Sequence, residues 1–83
     1  MEIRILGPGC RNCEKLVQDA KQAAKDAGVA ADIAKITDMA EIMKQGVLST
    51  PGLMINGKVK STGRLPSVKE IRKWIEESLK ENH

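Results

Sequence analysis

Aromatic side chains are almost absent from this chain, which has one tryptophan, Trp74, and neither phenylalanine nor tyrosine. Proteins that bind single-stranded nucleic acid stack its bases on aromatic side chains, so the sequence offers no platform of that kind. Its 14 basic and 11 acidic residues are interspersed, and the net charge of +3 is typical of a solvated surface rather than of a nucleic-acid interface. We therefore expect no nucleic-acid partner.

Long apolar runs are also missing. A membrane-spanning helix needs about 20 consecutive, mostly apolar residues, and no run in this sequence approaches that length. The chain starts with Met1-Glu2 and enters a charged strand pattern at once, without the basic leader and apolar segment of a secretory signal. These observations predict a single domain over residues 1–83, cytoplasmic and monomeric, with no membrane partner and a modest core.

Cysteine is scarce as well, and the two that occur, Cys10 and Cys13, are close neighbours. A disulfide between them would close a very short loop. The loss of chain entropy in the unfolded state would then stabilise the protein by about 2 kcal/mol, compared with about 4.5 kcal/mol for a bridge that spans the whole chain. A bridge at this position would contribute little stability. The spacing therefore indicates that the cysteines have a chemical role rather than a stabilising one, and that the protein works in a reducing compartment.

Both cysteines lie in the stretch Gly7-Pro8-Gly9-Cys10-Arg11-Asn12-Cys13, where a strand pattern gives way to a helix pattern. Thiols at positions i and i+3 of a first helical turn share one face, with β-carbons about 5–6 Å apart, which is close to the separation in a disulfide. The helix N-terminus, supported by Arg11, favours the thiolate of Cys10. Cys13 lies one turn into the helix and is predicted to be its buried partner. The pattern predicts a reactive dithiol.

Periodicity and turn signals predict an α/β chain that ends on a helix. A glycine ends the first helix, a two-residue Asn-Gly turn joins the third and fourth strands, and capping boxes open the last two helices. We interpret Met39 and Met43 as core filler. The predicted elements are strands over 2–6, 30–36, 53–55 and 58–61 and helices over 11–27, 38–45 and 67–80.

A Cys-x-x-Cys between the first strand and the first helix, in the order β-α-β-α-β-β-α, resembles the thioredoxin fold in its minimal, glutaredoxin-sized form. More narrowly, the chain is similar to small archaeal and bacterial thioredoxin-like proteins sometimes called redox-active disulfide proteins. The resemblance implies a four-stranded mixed sheet flanked by helices. It also implies that Cys10 attacks and Cys13 resolves, that Thr50 and a cis-proline at Pro51 bind an extended substrate chain, and that Gly63 packs near the dithiol.

The activity that this resemblance implies is thiol–disulfide oxidoreduction, a form of electron transport, on disulfide-containing protein substrates. A thioredoxin-reductase-like enzyme would regenerate the dithiol, and no cofactor is implied. Two positions depart from the family. Arg4 stands where larger thioredoxins have a buried acid, and Arg64-Leu65 stands where glutaredoxins usually have an acidic pair after the glycine. The acceptor of the Cys13 proton is thus left open, and a dedicated glutathione site is not expected.

Two other classes of function stay open. The first is a metal carrier for copper, zinc or an iron–sulfur cluster. Copper-carrying ferredoxin-like domains also place Cys-x-x-Cys after a first strand, but in β-α-β-β-α-β order, and a zinc site needs about four ligands where this chain offers two thiols and the terminal His83. The second is an interaction module with a regulatory dithiol.

Overall fold

A computed structural model describes residues 1–8 and 11–81 of the chain. No helix within these ranges combines the length and the apolar character needed to cross a bilayer. The predicted order of elements is confirmed, although β2 begins two residues later than expected. The elements are β1 (Glu2–Leu6), α1 (Arg11–Asp26), β2 (Asp32–Ile36), α2 (Met39–Lys44), β3 (Gly52–Ile55), β4 (Lys58–Thr62) and α3 (Val68–Glu81).

The four strands form one mixed sheet in the order β2-β1-β3-β4. β1 and β2 are parallel, as the intervening helix α1 requires, and Ile3 lies opposite Ile33. β3 runs antiparallel to both of its neighbours, β1 and β4. The C-terminal end of β1 and the N-terminal end of β3 therefore meet at one edge of the sheet. The predicted mixed sheet, and with it the minimal thioredoxin fold, is confirmed.

Side chains alternate between the two faces of the sheet, and each face has its own core. Ile3 and Ile5 point to the face that α1 and α3 cover, whereas Leu6 points to the face that α2 covers. The larger core also contains buried residues of α1, β3 and α3: Cys13, Leu16, Val17, Ala20, Ala23, Ala24, Leu53, Ile55, Ile71 and Ile75. The smaller core adds Ile42, Val47 and Met54. Two helices thus lie on one face and one on the other.

Turns and caps follow the local chemistry of the sequence. Asn56 and Gly57 have φ values of 50° and 82°, the left-handed pair that a tight hairpin needs. At the start of α3, the Glu70 backbone N–H donates to Ser67 Oγ at 3.1 Å and the Ser67 N–H donates to Glu70 Oε1 at 3.3 Å. This is the predicted capping box. Gly28 ends α1 with φ 69°, also as predicted.

The interpretation of Met39 and Met43 as core filler is wrong, because they are 50% and 59% exposed. α2 has only six residues, and of these only Ile42 is buried against the sheet. α3 also carries an exposed apolar residue near its C-terminal end. Leu79 is 43% exposed, while the neighbouring Ser78 takes the buried position.

Candidate functional site

Cys13 lies in the first turn of α1 with its side chain in the larger core. It is 1% exposed, so the predicted burial of this thiol is confirmed, and its part in the chemistry stays a prediction. Gly9 and Cys10 lie outside the described residues. The described part of the site is therefore built around Cys13 and the segments that pack against it.

Gly7, directly after β1, lies beside the Cys13 thiol. A β-carbon on Gly7 would lie 2.1 Å from Cys13 Sγ and 3.9 Å from Thr50 Cβ. The first distance is far inside van der Waals contact, so only glycine fits here without a shift. Gly7 thus brings together the end of β1, the first turn of α1 and the loop before β3. Sequence reasoning gave Gly7 no role, and its only signal was its place within the Gly7–Cys13 stretch.

Thr50 and Pro51 lead into β3 and are joined by a cis peptide bond. Pro51 is buried and Thr50 is half-buried. The Pro51 carbonyl accepts a hydrogen bond of 3.0 Å from the Gly63 N–H. Gly63 has φ 72°, and a β-carbon there would approach Ser49 Cβ to 3.0 Å. The predicted site residues Thr50, Pro51 and Gly63 therefore lie together at one end of the sheet.

The segment after Gly63 is attached to α3 by Arg64. Its Nη1 and Nη2 donate to the Glu70 carboxylate at 3.3 and 2.9 Å, and its guanidinium carbon lies 5.9 Å from the Trp74 ring centre. These hydrogen bonds from Arg64, with the one from the Ser67 backbone, lower the pKa of Glu70. Sequence reasoning found the capping role of Glu70 but missed its partner Arg64, for which no local pattern gives a signal.

Glu70 is expected to make folding stability depend on pH on the acid side. Its lowered pKa means that the unfolded chain binds this proton more readily than the folded protein. The stabilisation is present above about pH 4.3, the ordinary value for glutamate, and is lost as pH falls through the lower pKa of the folded state. Glu70→Gln keeps a capping side chain but removes the charge, so it should lower stability at neutral pH and have little effect at the lowest pH.

Urea denaturation at a series of pH values measures this difference. Glu77→Gln, an exposed change on the same helix, is the matched control. A loss of stability in Glu70→Gln that is equal at every pH would contradict the assignment of this pH dependence to the Glu70 carboxylate.

Charged side chains surround the first turn of α1 without entering the core. Arg11 and Glu14 are exposed, and Glu14 forms an ion pair with Lys35 of β2. Arg4 points to the α2 face of the sheet, as Leu6 does, and pairs with Glu2. Across residues 1–8 and 11–81, no three side chains of His, Cys, Asp or Glu are grouped as a metal site would need. His83 lies outside the described residues.

Comparison with known proteins agrees with this architecture. A family model described as a thioredoxin domain matches residues 1–76. A protein named thioredoxin from Methanothermobacter thermautotrophicus is 41% identical over 75 residues, which cover 90% of this chain and 97% of that one. Another of that name, from Methanocaldococcus jannaschii, is 36% identical over 77 residues, covering 93% of this chain and 88% of that one. The chain belongs to the thioredoxin-domain family.

Proposed function

We propose that this protein is a thiol–disulfide oxidoreductase that reduces protein disulfides with Cys10 and Cys13. The single observation that carries the proposal is the burial of Cys13, at 1% exposure, in the first turn of a helix that Cys10 directly precedes in sequence. A buried thiol at this position is shielded from outside reagents but can reach a sulfur one helical turn away. Family membership supports the same activity.

The reaction has two exchange steps. Cys10 thiolate attacks one sulfur of the substrate disulfide, which forms a mixed disulfide and releases the other substrate sulfur as a thiolate. Cys13 then loses its proton and attacks Cys10 Sγ, and the second substrate sulfur leaves as a thiolate. The substrate gains two electrons, the dithiol becomes the Cys10–Cys13 disulfide, and the leaving thiolates take up protons from water. Exposed Arg11 adds positive potential that favours the Cys10 thiolate.

The loop before β3 is the proposed substrate-binding segment. The half-buried Thr50 offers backbone hydrogen bonds to an extended stretch of the substrate protein, as in strand addition. Gly63, fixed on the Pro51 carbonyl, leaves room beside that loop because it has no side chain. Partners of this kind are disulfide-containing proteins, and a thioredoxin-reductase-like enzyme would restore the dithiol. A reducing compartment, the cytoplasm, suits a dithiol of this spacing.

No observation favours the alternative functions. The copper-carrier alternative requires β-α-β-β-α-β order, whereas here α2 lies between β2 and β3 and the described chain ends on α3. A glutathione site of the glutaredoxin type would need acidic groups after Gly63, and Arg64 at that position is engaged with Glu70. We therefore propose protein disulfides as the substrates.

Equilibration in glutathione or dithiothreitol redox buffers tests the proposal. Thiols are trapped by alkylation at each buffer potential and counted by mass. We expect a reversible transition in which both thiols disappear together, between about −200 and −300 mV, the span of glutaredoxins and thioredoxin. Thiols that resist oxidation until a chelator is added would contradict it and favour the metal carrier.

A further inference from the structure

Gly7 and Cys13 stand at the two ends of the stretch that carries Cys10 in the sequence, and the fold brings these ends together. The position of a Gly7 β-carbon would lie 2.1 Å from Cys13 Sγ and 3.5 Å from Cys13 Cβ, so the Cys13 side chain rests against the Gly7 backbone. The stretch between the two residues therefore starts and finishes at one point of the structure.

Both partners of this contact are held in place by the rest of the fold. The Gly7 backbone N–H donates to the Ile36 carbonyl of β2 at 2.9 Å, directly after β1 ends. Cys13 is 1% exposed and belongs to the larger core. Non-bonded atoms pack at about 3.5–4.0 Å. A methyl group at Gly7 would therefore displace Cys13 Sγ, or the start of α1 with it, by more than about 1 Å.

We propose that Gly7 is a positioning residue for the second exchange step. Because it has no side chain, Cys13 Sγ rests where the Cys10-bearing stretch begins, and from there the thiol attacks Cys10 Sγ. This attack is intramolecular, so its rate depends on how well the position of the attacking sulfur matches the narrow geometry of a disulfide. A misplacement of about 1 Å can slow such a step by on the order of a hundredfold. The inference rests on the proposed function, because it concerns the second step of that reaction.

Dithiobis(nitrobenzoate), an aryl disulfide that releases a coloured thiolate, separates the two steps. Cys10 thiolate attacks one of its sulfurs, which releases one aryl thiolate and leaves an aryl mixed disulfide on Cys10. Cys13 then gives its proton to solvent and attacks Cys10 Sγ, which forms the Cys10–Cys13 bond and releases the second aryl thiolate. Stopped-flow absorbance records both releases in one trace, so the first release is the reference for the second.

The variant is Gly7→Ala, and its control is Gly46→Ala. Gly46 has φ 81° and no atom within 4 Å of an added β-carbon, so alanine there destabilises the fold through backbone strain without touching Cys13. Urea denaturation gives the stability of both variants, and the releases are followed under conditions in which both are folded. The control thus separates a general loss of stability from a displaced thiol.

We expect Gly7→Ala to slow the second release about tenfold or more, with the rate of the first unchanged. The equilibrium constant for oxidation by glutathione should fall as well, and each tenfold fall raises the reduction potential by about 30 mV. Gly46→Ala should match the unmodified protein in both measurements. An unchanged second release in Gly7→Ala, or equal slowing in the two variants, would overturn the inference.

A measurement on the unmodified protein does not depend on the folding of a variant. Reduced protein should show nuclear Overhauser contacts between the Gly7 α-protons and the Cys13 β-protons, and their absence would overturn the inference. The proposed function has a separate test in the same kinetic traces. If the unmodified protein releases only one aryl thiolate, Cys13 does not resolve, and the proposed function itself fails.

Discussion

Cys13→Ser protein is expected to accumulate a mixed disulfide with its substrate, because the hydroxyl that replaces the thiol cannot attack Cys10 Sγ. Cys10 would still carry out the first exchange, so the adduct forms and then persists. Cys10→Ser protein should form no adduct at all. Turnover of a protein disulfide should fall to the background rate in either variant, and combining the two should cost no more than either alone, since the thiols act as a unit.

Mass spectrometry under non-reducing conditions, after incubation with a disulfide-containing protein, measures the adduct. Cys13→Ala serves as the second resolving-site variant, since Cys13 is 1% exposed and serine places a polar group in that core. Thermal denaturation establishes that each variant is folded. An adduct carried by Cys10→Ser would mean that the roles of the two cysteines are reversed. Turnover retained by Cys13→Ser would mean that Cys13 does not resolve the mixed disulfide.

Local chemistry made much of the fold predictable from the sequence. The hairpin at Asn56-Gly57, the capping box of Ser67 with Glu70 and the end of α1 at Gly28 each depend on residues close together in the chain. The prediction of buried residues was wrong where burial depended on the length of an element. Met39 and Met43 were expected in the core, but a six-residue helix places only Ile42 against the sheet.

The sequence suggested members of the candidate site but not their contacts. Cys13, Thr50 and Gly63 could be named from motif and family resemblance. The position of Gly7 beside Cys13 and near Thr50 could not be predicted, because it depends on β1 pairing with β3, which places the end of one strand beside the start of the other. Two segments can approach this closely only where a side chain is absent. A single glycine in a sequence does not reveal which segments will meet beside it.

Gly7→Ala is expected to destabilise the protein by about 1–3 kcal/mol, the usual cost of adding a methyl group to a filled core. The new β-carbon would lie 2.1 Å from Cys13 Sγ, so the thiol or the start of α1 must move. Gly7 does not have the positive φ found at Gly28, Gly46, Gly57 and Gly63, so the cost comes from the contact and not from backbone strain. Urea denaturation measures it.

A double-mutant cycle with Cys13→Ala identifies the source of that cost. Once Sγ is removed, the nearest atoms to the new methyl group are Cys13 Cβ at 3.5 Å and Thr50 Cβ at 3.9 Å, both ordinary contacts. Gly7→Ala should therefore cost much less in the Cys13→Ala background, with a coupling energy of about 0.5–3 kcal/mol. Gly46→Ala is the control: it has φ 81° and no atom within 4 Å of an added β-carbon, so its cost should be the same in both backgrounds. Additive costs for Gly7→Ala and Cys13→Ala would mean that Gly7 is needed for another reason than the thiol beside it.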